Sequence, residues 1–219
     1  MNYPTKLSQL GKFVEDCKKK YGEYLLGIIL TGSAVSDESY REGWSDIDLY
    51  IIVKDTYKIE SEDWILISFK KLKGEIKART IKSYYIQRGI IVYTNNVEFL
   101  RLVKKIRLPD RRHKYFLLNS MFVAMKLRKC KETNIEKCRQ LYHALRYFVR
   151  YHSMPYNFPI FDSEIVEGID NYFYEEKDEL KRLVFDLLKV KKSLKCSDNY
   201  YQVLEIRTLK FLNRVCFDN

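Results

Sequence analysis

Two aspartates stand two positions apart in Ser45-Asp46-Ile47-Asp48-Leu49, and a Gly32-Ser33 pair precedes Asp46 by twelve intervening residues. On an extended backbone, side chains two positions apart leave the same face. At about 3.3 Å per residue their origins sit roughly 6.6 Å apart. Two carboxylates so placed can share hard cations, which take oxygen ligands. A pair of Mg²⁺ ions held there would activate an attacking oxygen and neutralise a leaving pyrophosphate. Gly32 offers backbone N–H groups to a phosphate where a Cβ would obstruct it, and Ser33 adds a hydroxyl donor. Transfer of a phosphoryl-type group needs mainly positioning and charge neutralisation, with no covalent nucleophile. The sequence contains neither a G-x-x-x-x-G-K-S/T loop nor a protein-kinase signature.

These residues need elements that position them. Leu7, Leu10, Phe13, Val14 and Cys17, following Pro4-Thr5, predict an amphipathic helix ending near Lys20. Tyr24–Thr31 is a continuous apolar run closed by Gly32-Ser33, which predicts a buried strand. Asp46–Val53 predicts a second strand, with Ile47, Leu49, Ile51 and Val53 on one face and Asp46, Asp48, Tyr50 and Ile52 on the other. Ser61-Glu62-Asp63 is a helix-start signal before Ile65, Phe69, Leu72 and Ile76, but Trp64–Phe69 equally suits a strand. A short strand over Glu75–Thr80, a helix over Ile81–Arg88 and a last strand over Ile90–Tyr93 are expected next. From Pro109 onward only helical periodicity is found. Leu117, Phe122, Met125 and Leu127 mark one helix, Asn134 is the expected cap of another, and Ser163–Phe173, Asp178–Lys192 and Asn199–Val215 complete a bundle. The organisation is therefore an α/β domain over residues 1–107 and an all-α helical bundle over 108–219.

Gly32-Ser33 followed by Asp46-Ile47-Asp48-Leu49 resembles the signature of the DNA polymerase β-like nucleotidyltransferase superfamily. Thr31 stands where that signature usually has an apolar residue. The resemblance implies an α/β (α+β) core with a mixed sheet, use of Mg²⁺, and transfer of a nucleoside monophosphate from a nucleoside triphosphate to a hydroxyl. ATP is the expected donor. It also implies a third carboxylate on a neighbouring strand. Gln87-Arg88-Gly89-Ile90-Ile91-Val92-Tyr93 is similar to the family's closing segment, and counting back from it places Glu75 in that role, with Asp63 as runner-up. A core of this kind followed by helices resembles the kanamycin- and streptomycin-type antibiotic nucleotidyltransferases.

The helix after Asn134 carries Arg139, His143, Arg146 and Arg150 on one face, a candidate surface for a phosphate-bearing acceptor as well as for a solvated face. Cys138, Leu141, Tyr142, Leu145, Phe148, Val149 and His152 form its apolar stripe. Arg146 and His152 also fit loosely the Arg-x4–6-His pattern of HEPN (higher eukaryote and prokaryote nucleotide-binding) ribonucleases, so such a ribonuclease is one alternative. A catalytically silent nucleotide- or RNA-binding module is the other. Forty Lys and Arg against 29 Asp and Glu give a net charge of +11, which favours RNA or another phosphate-rich acceptor. The acceptor class otherwise stays open between a small molecule, RNA and a protein, bound between core and bundle. Five scattered cysteines suit free thiols better than disulfides or zinc. No apolar run is long enough to span a bilayer and none follows the N-terminus as a signal segment, so a cytoplasmic protein is expected.

Overall fold

The computed structural model describes residues 7–58, 65–154 and 156–217, and Phe217 only through its backbone. Pro4-Thr5, Ser61-Glu62-Asp63, Trp64 and Pro155 lie outside the described residues. The chain divides into two compact units between Asp110 and Arg111.

The first unit is three layers, with a four-stranded mixed sheet in the middle. Helix α1 (Leu10–Tyr21) buries Phe13, Val14, Cys17 and Tyr21, the face its periodicity predicts. Strand β1 (Leu25–Thr31) is buried along its whole length, because helices cover both faces of the sheet. Strand β2 (Asp48–Val53) runs antiparallel to it, β3 (Leu66–Ser68) parallel to β2, and β4 (Ile90–Thr94) antiparallel to β1, in the order β3-β2-β1-β4. Leu25, Ile28, Leu30, Leu49, Ile51 and Val53 pack with α1 on one face. Leu26, Ile29, Ile52 and Ile67 form the other face, beneath α2 (Phe69–Lys77), α3 (Ile81–Gln87) and α4 (Val97–Val103).

The expected strand over Glu75–Thr80 needs correction. Residues 75–80 form no strand, because Phe69, Leu72 and Ile76 recur at helical spacing, bury together and carry α2 through Glu75. Its start is capped by Ser68 Oγ, which accepts from Lys71 N at 3.2 Å, and by Asp55 Oδ1, which accepts from Lys70 N at 2.6 Å. Gly74 costs the helix about 1 kcal/mol, and burial of Phe69, Leu72 and Ile76 on the same helix outweighs it. Sequence reasoning also passed over α4, whose signals are Asn96, accepting from Phe99 N at 2.7 Å, and the buried pair Phe99 and Val103. The segment 64–69 that suited either state supplies both: its described part is β3, turning at Phe69 into α2.

The second unit is all helical: α5 (Lys114–Arg128), α6 (Asn134–Ser153), α7 (Asp162–Tyr172), α8 (Lys177–Ser193) and α9 (Asp198–Phe217). Helix α6 is its hub and packs against the other four. Thr133, and not Asn134, caps α6: its Oγ1 accepts from Glu136 N at 3.2 Å while Glu136 Oε2 accepts from Thr133 N. The buried stripe of α5 is Leu117, Met121, Ala124 and Arg128, whereas Phe122 and Leu127 are exposed. Arg128 can occupy that stripe because Glu205 of α9 lies 3.2 Å from its Nε. The five cysteines are free thiols. Among the described residues no helix is long and apolar enough to cross a membrane.

Candidate active site

The exit of β1 meets the entry of β2. Thr31 and Asp48 are register partners, and the buried Thr31 hydroxyl donates to the Asp48 carbonyl at 3.3 Å. The family's usual apolar residue is thus replaced by one that ties the two strand ends together. Gly32 follows with φ +68°, in the left-handed region that favours glycine. A Cβ there would lie 2.5 Å from Oδ2 of Asp48, so the Asp48 carboxylate occupies the space a side chain would fill. Gly32–Val35 then forms a single 3-10 turn that carries Ser33. Gly89 closes the other side: a Cβ on it would come 2.5 Å from the Leu30 carbonyl oxygen and 3.0 Å from Thr31 Cγ2. The Gly-Ile-Ile-Val-Tyr segment is therefore glycine-led because its backbone presses against the end of β1.

Asp46 precedes β2 instead of lying within it, a correction to the predicted strand start. Burial still alternates through this stretch: Asp46 exposed, Ile47 buried, Asp48 half-buried, Leu49 buried. Ile47 and Leu49 anchor in the same core cluster, so the period of two continues past the first hydrogen-bonded residue and turns the aspartates away from that core. The donors this corner offers, two carboxylates and the Ser33 hydroxyl, are all oxygen, which suits Mg²⁺ and not a thiolate- or imidazole-seeking metal.

Residues 10–112 match the family model of the nucleotidyltransferase domain. The first unit is a nucleotidyltransferase domain. The match is consistent with the DNA polymerase β-like superfamily, and the chemistry of that family is nucleotidyl transfer from a nucleoside triphosphate. A comparison with curated proteins finds no match.

Glu75 does not join the aspartates of the nucleotidyltransferase domain. It lies on α2, where its carboxylate accepts from Thr80 Oγ1 at 2.6 Å, and no group of three metal-ligating side chains occurs among the described residues. Asp63 lies outside them. Glu75 instead faces Lys82 of α3, a residue sequence reasoning missed. Burial pulls the Lys82 ammonium below its ordinary value, Glu75 opposes that shift and Lys71 adds to it. Its Nζ sits 5.0 Å from the centre of the Tyr50 ring, and Tyr50 follows Asp48 by two positions on β2. A half-buried cation on the strand face of Asp48 suits a polyphosphate. Lys82 lies within the helix expected over Ile81–Arg88, and no spacing rule singles it out.

The basic stripe of α6 divides. Arg146 and Arg150 are buried, with relative exposures of 9% and 3%. Arg146 Nη2 donates to the Ile160 carbonyl at 2.8 Å, and Arg150 Nε donates to the Pro159 carbonyl at 2.7 Å. These two therefore satisfy carbonyls of the irregular segment before α7, a correction to the acceptor-binding expectation. Arg139 and His143 are partly exposed. Burial first, then the charges of Arg146, Arg139 and Arg150, hold the His143 imidazole well below its ordinary pKa, so it is neutral. Arg146 and His152 do not converge. Six residues of helix rotate them about 120° apart, and His152 instead packs 4.5 Å from the Phe148 ring beside a cavity of about 310 Å³ lined also by Phe173 and Glu176.

Replacing Gly32 by Ala tests the corner directly. The substitution forces a left-handed φ on a Cβ-bearing residue and drives that Cβ into Asp48. Urea unfolding should show a loss of about 1–3 kcal/mol, and nucleotidyl transfer should fall with it.

Proposed function

We propose that this chain is a Mg²⁺-dependent nucleotidyltransferase that moves AMP from ATP to a hydroxyl of its acceptor. Asp46 and Asp48 hold the divalent cations, and Gly32 and Ser33 hold the triphosphate. Lys82 contributes positive charge from the Asp48 side of the sheet. Mg²⁺, when bound, supplies neutralising charge for the leaving pyrophosphate. The acceptor oxygen forms a bond to the α-phosphorus, the bridging bond to the β-phosphate breaks, and the hydroxyl proton passes to solvent. Gly32 and Ser33 keep the triphosphate from rotating, while Thr31 steadies the backbone of Asp48. The observation that carries this reading is the Asp48 carboxylate seated where a Gly32 side chain would be.

The test is incubation with each α-labelled nucleoside triphosphate and Mg²⁺, with total RNA, protein extract or an aminoglycoside as acceptor. Pyrophosphate release with label on one acceptor class is the expected result, strongest with ATP and lost with EDTA. Nucleotide binding without pyrophosphate release under any acceptor would sink the transferase reading and leave a nucleotide-binding module.

A further inference from the structure

A concavity of the nucleotidyltransferase domain lies between α2 and the chain of α4 with the residues that follow it, with a volume of about 740 Å³. Ile76 and Leu102 contribute apolar contacts. Around them stand Lys77, Arg101, Lys104, Lys105 and Arg107, all exposed, with Lys73 and Glu98 paired at 2.6 Å. Helices α2 and α4 cover the sheet face to which Asp48 and Tyr50 belong, so the groove lies on that side of the sheet.

None of the five groove cations pairs with an acid among the described residues. Helix ends accept cations favourably, but one or two would serve α2 and α4. The segment beyond α4 is also held in place. The buried Gln87 amide donates to the Lys105 carbonyl and accepts from Arg107 N at 3.4 Å, which fixes the backbone that presents Lys105 and Arg107. On α2 Lys77 borders the groove while Lys73 is taken by Glu98, and Arg101, Lys104, Lys105 and Arg107 follow one another along the other wall. Cations strung along residues 101–107, with Lys77 across the groove, match a chain of phosphates better than a single phosphate group. A concave groove also excludes a flat anionic surface.

We propose that the α2–α4 groove binds the phosphodiester backbone of a nucleic-acid strand and delivers its end hydroxyl as acceptor; the delivery, though not the binding, rests on the transferase reading above. Fluorescence anisotropy with a labelled single-stranded RNA and its DNA counterpart, without nucleotide or Mg²⁺, measures the binding. The triple variant Lys77→Gln/Arg101→Gln/Lys105→Gln should weaken it at least about tenfold and reduce the salt slope by about 2, three contacts at roughly 0.7 each. A control triple, Lys126→Gln/Lys129→Gln/Lys192→Gln, removes equal charge from exposed positions of the helical unit and should leave affinity within about threefold. Circular dichroism confirms that both remain folded. Equal loss in the two triples, or none in the first, overturns the proposal. Preference for RNA over DNA, or parity between them, supports it and identifies which strand is held. Intact groove-dependent binding without pyrophosphate release would discard the transferase reading alone.

Discussion

Asp48→Asn should abolish nucleotidyl transfer while leaving the fold intact. Asparagine has nearly the shape of aspartate, so it fits the space beside Gly32 and keeps the register pair with Thr31. It removes the negative charge that a divalent cation requires. Losing a preorganised electrostatic element of a transfer reaction costs about 10²–10³-fold in rate, and Asp48, as the carboxylate packed on Gly32, should lie at the upper end. Pyrophosphate release under saturating ATP and Mg²⁺ reads the effect, with urea unfolding as the check on stability. Asp46→Asn should lose less, because Asp46 precedes the strand and is exposed. If Asp48→Asn retained activity within tenfold of the parent, the metal-holding role of the pair would be wrong.

Lys191→Ala should be the most destabilising single substitution in the helical unit. Asp162, 6% exposed, accepts from Tyr142 Oη and from Lys191 Nζ, and Lys191 is equally buried. This pair joins the start of α7 to the end of α8, with α6 contributing the tyrosine. Burial, then the Asp162 charge, push the Tyr142 phenol well above its ordinary pKa, so it stays a donor. Truncating the lysine leaves a carboxylate inside the bundle with one neutral partner. Breaking a buried pair from one side costs about 3–5 kcal/mol, readable as a shift of the urea midpoint for the helical unit. Replacing both members, Asp162→Leu with Lys191→Met, should recover most of that loss, since the isolated charge is what destabilises. A cost for Lys191→Ala under 1 kcal/mol would show that water reaches the pair.

Gly32-Ser33 and Asp46-x-Asp48 were legible without coordinates because a strand period of two and a glycine bend are local properties. The same holds for β1, β2, β4, α3 and the helical second half, whose apolar residues recur at spacings fixed by backbone geometry. Glu75 was misplaced because counting residues assumes a strand, whereas Phe69, Leu72 and Ile76 bury as a helix face. Arg146 and Arg150 show the same limit: the spacing that puts them on one face cannot tell whether solvent or the Pro159-Ile160 carbonyls lie opposite.

Sequence alone therefore determined the glycine bend, the paired aspartates proposed to carry the chemistry, the class of fold and the net charge, since each follows from neighbouring residues or from sums. Tertiary structure decided which carboxylate seats against Gly32, that Lys82 stands over Tyr50, and which cations are paired. Those facts depend on contacts between segments far apart in the chain, and residue spacing carries no information about what lies across such a contact.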